Sequence, residues 1–254
     1  MTAPTRRINR GNNHSYLIDG EKADGVTWII GNGMPKPALV GWAGRTVAEA
    51  AVERRDVWKD MSDGAAIEWL KQAPYSDRDK AANKGTRVHN LAEHLARGEE
   101  VEVPTELAGH VDSYLAFREE WKPTDELLEL VVINRTHRYM GTLDLIATLV
   151  DGQRWLLDLK TNRSGPFGET ALQLAAYRYA ETYLDPANGD ELPMPEVDRA
   201  GVVWLRADGF DLYPYIADKA QWRIFLYCQQ VAHFNQDGSK TVKGEAIYPQ
   251  EQAS

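Results

Sequence analysis

The order of apolar patterns along the chain predicts an α/β fold of the mixed α+β kind: a central mixed β-sheet flanked by helices, preceded by a helical N-terminal region. Three observations carry this expectation. Helix-period stretches dominate the first half, and three short runs rich in Val, Ile, Leu and Thr begin at Leu127. An Ala- and Leu-rich helix then separates those runs from a second strand pair and a closing amphipathic helix. With 254 residues, of which 43% are hydrophobic and 26% charged, the chain is long enough to bury one sizeable core and too apolar to be disordered. We expect residues 1–25 to form a flexible N-terminal arm. Residues 26–254 are expected to form a single domain, helical over 26–125 and built on the sheet over 126–254.

Each element has a local reason. The first 25 residues are polar and rich in Gly and Asn, hence the arm. Val26 to Ile30 reads as a short apolar strand or turn, followed by a GNGMPKP breaker cluster and a helical stretch from Arg45 to about Asp60. No Gly-Lys-Ser/Thr follows GNG, so it reads as a turn and not as a phosphate-binding loop. Ser76 with Asp79 three residues on resembles a capping box. The helix it starts carries Val88, Leu91, Ala92 and Leu95 on one face and stops near Gly98. Gly85 within it costs roughly 1 kcal/mol against Ala and marks either a close backbone approach or a weak start. A second helix spans about Glu106 to Trp121. LLELVVIN, GTLDLIATLV and QRWLLDLKT then read as three strands, the last two joined at Asp151-Gly152. A helix from Glu169 to about Tyr183 and a Pro-rich loop from Asp185 to Pro195 come next. A hairpin around Asp208-Gly209 and a helix from about Asp218 to Phe234 complete the order.

Composition narrows the function classes. No apolar run approaches the ~18 residues of a membrane helix, and no apolar stretch follows the N-terminal arginines, so we expect neither a membrane span nor a secretory signal. Cys228 is the only cysteine, which excludes an internal disulfide, a zinc ribbon and a cysteine-ligated iron–sulfur cluster. A cytoplasmic location follows as the plain expectation. The net charge of −9 argues on its face against a nucleic-acid binder. Its distribution weakens that objection, because residues 99–130 carry ten acidic side chains against Arg118 and Lys122, whereas 71–97 carries six basic against three acidic. Fields at contact are local and screened beyond about 10 Å at 0.1 M salt.

The chemistry-bearing residues are Asp144 in one strand, Asp158 and Lys160 in the next, and Gln173 and Tyr177 on the following helix. Asp-x-Lys on a strand puts both side chains on one face, and residues four apart share a helix face. A strict two-residue turn at Asp151-Gly152 would set Asp144 opposite Leu159 and point it away from Asp158. A three-residue loop with Gly in the left-handed position sets Asp144 beside Asp158 and Lys160. The metal-site reading therefore predicts that loop or an equivalent bulge. Two carboxylates on adjacent strands make an oxygen-rich site suited to Mg²⁺ or Mn²⁺, and a nearby lysine can offset charge building on a phosphate. A strand Asp-x-Lys is usually only a solvent-facing pair. Here it lies in WLLDLKT, an otherwise apolar strand, where unpaired charges are expensive.

GTLDLI, LLDLKT and LQLAAY, in this order and at these separations, resemble the RecB-like branch of the PD-(D/E)XK nuclease superfamily, which shows G-x-x-D, D/E-x-K and Q-x-x-x-Y in sequence. KGTRVHNLAE resembles that branch's first motif, where a helical histidine joins the metal site. VTWIIGNGMPKPALVGWA is similar to the N-terminal stretch of phage-borne exonucleases of the branch. The resemblance runs from about Val26 to Tyr183. It implies a restriction-endonuclease-like core in which Asp144 and Asp158 ligate Mg²⁺ or Mn²⁺, His89 supplies a third ligand and Leu159 lends its backbone carbonyl. It further implies that Lys160 is the catalytic lysine and that Gln173 and Tyr177 orient the site or contact the DNA backbone. Glu129 lies where related nucleases sometimes have an acidic residue. His94 follows His89 at five residues, so HNLAEH lacks the H-E-x-x-H pattern of a zinc protease.

The implied activity is metal-dependent hydrolysis of DNA from its ends, leaving a 5′-phosphate and a 3′-hydroxyl, in recombination or replication. The implied partners are DNA and a single-strand-annealing or single-strand-binding protein, with room for a ring-forming homo-oligomer and none for a membrane. If the chain is phage-encoded, the host cytoplasm is its compartment. CRISPR-associated and helicase-linked relatives hold an iron–sulfur cluster on four cysteines, which this chain lacks. Three alternatives stay open: a structure-specific endonuclease with the same site, a non-catalytic DNA-binding recombination accessory protein, and an α/β domain whose strand charges are a structural ion pair. Trp155, Tyr179 and Trp204 are the candidates for base stacking.

Overall fold

The computed structural model describes residues 4–10 and 13–247. Three strands open it: β1 (Arg6–Arg10), β2 (Asn13–Ile18) and β3 (Glu21–Gly25). Four helices follow, α1 (Val26–Gly33), α2 (Pro37–Glu53), the one-turn α3 (Arg55–Trp58) and the long α4 (Asp63–Ala96). A 3-10 turn at Thr105–Leu107 leads into α5 (Ala108–Trp121). Next come β4 (Thr124–Asn134), β5 (Tyr139–Thr148), β6 (Arg154–Lys160) and α6 (Thr170–Arg178). Two hairpins, β7 (Thr182–Leu184) with β8 (Glu191–Pro193) and β9 (Arg199–Arg206) with β10 (Gly209–Tyr215), precede α7 (Lys219–His233). A π turn at Phe234–Gly238 joins α7 to α8 (Ser239–Thr241). The protein is a mixed α/β fold in which helices flank a curled mixed sheet. No helix among the described residues is long and apolar enough to cross a membrane.

β5 organises the sheet. Along one edge it pairs antiparallel with β4, which leads on to β7 and β8. Its other edge is shared: β3 pairs parallel with its start, at Tyr139 and Met140, and β6 pairs antiparallel with its end, from Leu145 to Thr148. β6 then pairs parallel with β9, which is antiparallel to β10. One sheet face packs Ile29, Leu143, Ile146, Leu174 and Phe225 under α1, α6 and α7. The opposite face packs Val88, Phe117, Leu145 and Leu157 under α4 and α5. A third cluster joins Tyr16 and Ile18 of β2 to Ile133 and Met140.

The structure corrects several expectations. The described part of the N-terminal arm is a three-stranded antiparallel sheet fixed to β5. Its signal was Asp19-Gly20, where both residues have positive φ (52° and 82°) and Ile18 pairs with Glu21, a two-residue hairpin turn of the primed type. Tyr16 and Ile18 alternate into the core on one side of it. Val26 to Ile30 is helical, not extended. Its β-branched run suggests a strand, but Val26, Ile29, Ile30 and Gly33 are all buried, the spacing of one helix face. The break in GNGMPKP falls after Gly33, and Pro37 starts α2 eight residues before the expected Arg45, at the first helical turn where its missing N–H is harmless. Ser76 and Asp79 do not begin a helix. They lie inside α4, which starts at Asp63 and runs through the buried Pro74. α2 packs against α4, and Pro74 removes one hydrogen bond from a helix held by tertiary contacts. α6 stops at Arg178, and Tyr183 belongs to β7, whose partner β8 falls in the segment read as a Pro-rich loop.

At the Asp151-Gly152 turn, Leu149 N–H donates to Gln153 O and Gly152, at φ 75°, closes a three-residue loop. Leu145 accordingly pairs with Leu157 and Thr148 with Arg154, so continuing the register sets Asp144 opposite Asp158. Asp218 caps α7, its Oδ1 accepting from the N–H groups of Ala220 and Gln221.

The contact between α1 and α7 is testable. A Cβ on Gly33 would lie 2.0 Å from the Cys228 carbonyl oxygen, backbone that cannot swing aside, whereas a Cβ on Gly31 in the same helix meets nothing within 4 Å. Gly33→Ala should lower stability by about 1–3 kcal/mol or more in denaturant melts. Gly31→Ala should be neutral or raise stability by up to about 1 kcal/mol.

Candidate functional site

The sheet bends where β5 changes partners. Leu127 and Leu130 both pack toward α1, α6 and α7, as do Leu143 and Ile146, although odd separations in a regular strand face opposite ways. Both strands therefore shift face together between Leu128 and Leu130 and between Leu143 and Leu145. Register is kept, since Leu128 pairs with Leu145 and Leu130 with Leu143, leaving Glu129 opposite Asp144 at the bend. Glu129 has φ 49°, a left-handed backbone that costs a non-glycine residue roughly 1–2 kcal/mol.

His89 of α4 joins these two acids. One nitrogen or oxygen from each of His89, Glu129 and Asp144 lies within 4.8 Å of the others. His89 Nδ1 is 3.6 Å from Asp144 Oδ2 and 3.8 Å from Glu129 Oε1. Its Nε2 stands 2.9 Å from Leu159 O, so with Nε2–H donating to that carbonyl, Nδ1 is turned toward the carboxylates. The Leu159 N–H donates to Asp144 Oδ2 at 2.7 Å. The backbone of Leu159 thus holds both His89 and Asp144.

Asp158 stands beside this group and not within it. Gln173 Nε2 donates to Asp158 Oδ1 at 2.8 Å, and Lys160 Nζ lies 2.8 Å from Oδ2. Oδ2 is thus buried in an ion pair with the lysine ammonium. Gln173 also accepts from Lys160 at 3.3 Å and donates to the Tyr177 hydroxyl at 3.2 Å. Gly85 of α4 comes close to the end of β6, where a Cβ would lie 3.3 Å from Thr161 Oγ1.

Burial would lower the pKa of His89, but the carboxylates of Asp144 and Glu129, helped by Asp158, overcome it and hold the imidazole at about 9. Burial raises the pKa of both Asp144 and Asp158, with Glu129 adding to the first and Asp144 to the second. Burial opposes the charge on Lys160 as well, yet Asp158 and Asp144 more than offset this and keep the ammonium protonated. A site whose negative potential holds a half-buried histidine protonated is one that favours a cation. The donor set fits a divalent metal: an imidazole nitrogen and two carboxylates, with the Lys160-paired Asp158 carboxylate adjoining.

The group opens into a cleft of about 930 Å³. His89, Glu129, Leu159, Lys160 and Gln173 line it, as expected site residues. Tyr177 does not. It is 2% exposed and meets Gln173 from within the core, so of its two expected roles contact with DNA does not fit. The glycine of GTLD has a structural reason, since a Cβ on Gly141 would lie 2.5 Å from Tyr177 Cε1. Among the stacking candidates, Trp155 is buried, Tyr179 packs against Trp222, and Trp204 is partly buried beneath the Arg206 guanidinium. Residues that sequence reasoning missed are Arg7, Lys36 and the half-exposed Phe167, all lining the cleft. Arg7 reaches the cleft from a strand distant in sequence, whereas Lys36 and Phe167 lie in loops that carry no chemical pattern of their own.

No family model matches the chain, and no curated protein does. Among solved structures, one titled "Crystal structure of SSO0001" is similar at a TM-score of 0.31 and 16% identity, over 53% of this chain. The chain spans 63% of that protein's length. A likeness this distant carries no argument about fold or function.

The charge balance gives a pH prediction. The folded His89 binds its proton up to about pH 9 and the unfolded one only to about 6.5, so its stabilisation is complete below 6.5 and is lost as pH rises to 9. Denaturant unfolding in EDTA should show a loss of up to about 3 kcal/mol across that window, absent in His89→Gln. An unchanged pH slope in the variant would sink the assignment. Mn²⁺ should bind more tightly as pH rises, because it displaces that proton.

Proposed function

We propose that the protein is a metal-dependent deoxyribonuclease with a restriction-endonuclease-like core, acting as an exonuclease on DNA ends. The observation that carries this reading is the convergence, at one bend of the sheet, of the His89–Glu129–Asp144 group with the Asp158–Lys160 pair. The four ordered motifs add the nuclease class, and the likeness of VTWIIGNGMPKPALVGWA to phage-borne exonucleases of the branch adds the action on ends. In this reading His89 through Nδ1, Glu129 and Asp144 hold Mg²⁺ or Mn²⁺, with Asp158 Oδ2 as the adjoining donor. Bound there, such an ion supplies Lewis acidity toward water and phosphate.

The protein's own groups divide the remaining work. Leu159 fixes His89 and Asp144 relative to each other through its two backbone groups. Gln173 anchors one oxygen of Asp158 and Lys160 holds the other. Lys160, kept protonated by its carboxylate neighbours, is an electrostatic partner for charge growing on the phosphate and a proton donor, not a general base. The hydrolysis forms a bond from water oxygen to phosphorus and breaks the bond to the 3′ oxygen, which leaves as a hydroxyl. A structural ion pair alone would not require the left-handed backbone of Glu129.

The test is digestion of 5′- and 3′-labelled linear DNA beside covalently closed circles, in Mg²⁺, Mn²⁺ or EDTA. Loss of linear DNA only with metal, with circles spared, is the expected result, and Lys160→Ala should reduce the rate roughly a hundredfold or more. Cut circles would make the enzyme an endonuclease. Folded protein that cleaves nothing with either metal would overturn the reading in favour of an accessory role.

A further inference from the structure

The N-terminal sheet brings an arginine into the cleft that no motif accounts for. Arg7 lies in β1, opposite Tyr16 of β2. Its Nη1 donates to Thr142 Oγ1 at 3.1 Å, and the Tyr16 hydroxyl meets the same oxygen at 3.1 Å. Thr142 is two residues before Asp144 on β5, so the guanidinium is positioned from the strand that carries a member of the metal group. Both Arg7 and Glu129 lie within electrostatic reach of the Tyr16 hydroxyl. Yet Arg7 is in ion-pair contact with no carboxylate among the described residues, and its Nε is buried without a hydrogen-bond partner.

That combination is costly for a protein to keep without a ligand. A buried polar group left unpaired loses its hydration without recompense. The guanidinium carries donors in a planar fork that matches phosphate oxygens. The neighbouring cleft residues include Lys36 at the α1–α2 junction and Lys160, further cations on the same surface. Acids dominate the bend itself, so a phosphodiester seated there needs positive charge on the side away from the metal group.

We propose that Arg7 binds a non-bridging oxygen of a DNA phosphate beside the His89–Glu129–Asp144 group, making the N-terminal sheet a substrate-binding wall of the cleft. This assignment rests on the nuclease reading. Arg7 is a substrate-binding residue here, held in place by Thr142.

The test is anisotropy of a labelled oligonucleotide in MgCl₂ across a salt series, in a Lys160→Ala background that suppresses cleavage, with Arg7 intact or replaced. Cleavage kinetics are read in parallel with Lys160 present. Arg7→Ala should flatten the slope of log affinity against log salt by roughly 0.7–0.9, the contribution of one phosphate contact. It should also lower kcat/KM about ten- to a hundredfold, mostly through KM. Arg7→Lys should keep the salt slope while losing part of the affinity, a separation that a purely structural role would not produce. If Arg7→Ala melts below the assay temperature, Arg7→Gln, which retains a donor for Thr142, is read the same way. An unchanged salt slope and KM in a variant of an active enzyme would overturn the role of Arg7 and leave the nuclease standing. Wild-type protein that neither binds nor cleaves DNA would overturn both.

Discussion

Two strands share one edge of β5, and the rest of the site depends on that division. β3 holds the start of the edge and β6 its end, so the residues between Met140 and Leu145 have no ladder partner there among the described strands. Backbone and side-chain polar groups in the interior must still be satisfied. Here side chains do it: Asp144 takes the Leu159 N–H, while Arg7 and Tyr16 meet Thr142. The gap in the ladder is thus the place where a carboxylate, a hydroxyl and a guanidinium enter the sheet. A regular sheet would have filled that edge with backbone hydrogen bonds and left no room for them.

The same gap explains the electrostatics. Three acids and two cationic groups occupy a half-buried space at the sheet bend, and each carries a pKa displaced from its ordinary value or faces a group that does. Burying such a set for stability alone is a poor strategy, since apolar replacements of similar volume commonly do as well or better. The arrangement is better suited to a function that exploits its negative potential. Helices from both faces serve it, α4 bringing His89 and α6 bringing Gln173, with Gly85 and Gly141 allowing the close approach of neighbouring groups to the sheet.

Much of this was readable before any coordinates. The alternation within WLLDLKT places Asp158 and Lys160 together, and the Gly in the Asp151-Gly152 loop decides which way Asp144 faces. Local chemistry settles both, because a hairpin's register follows from its turn. Helix spacing likewise pairs Gln173 with Tyr177. Asp19-Gly20 announces the turn between the N-terminal strands, but the polarity of the first 25 residues points instead to an arm. The β-branched residues of α1 suggest a strand, and only their burial reveals a helix face.

By itself, the amino-acid sequence determined the α/β class and the strand pair that presents Asp144, Asp158 and Lys160. Tertiary structure alone decided that Glu129 stands with His89 and Asp144 while Asp158 turns toward Lys160 and Gln173. It also decided that Tyr177 is core and that Arg7 reaches the cleft. The physical reason is the same in each case. Periodicity and turn chemistry act between near neighbours in sequence, whereas a bend shared by two strands and an edge shared by two partners arise only when distant segments pack together.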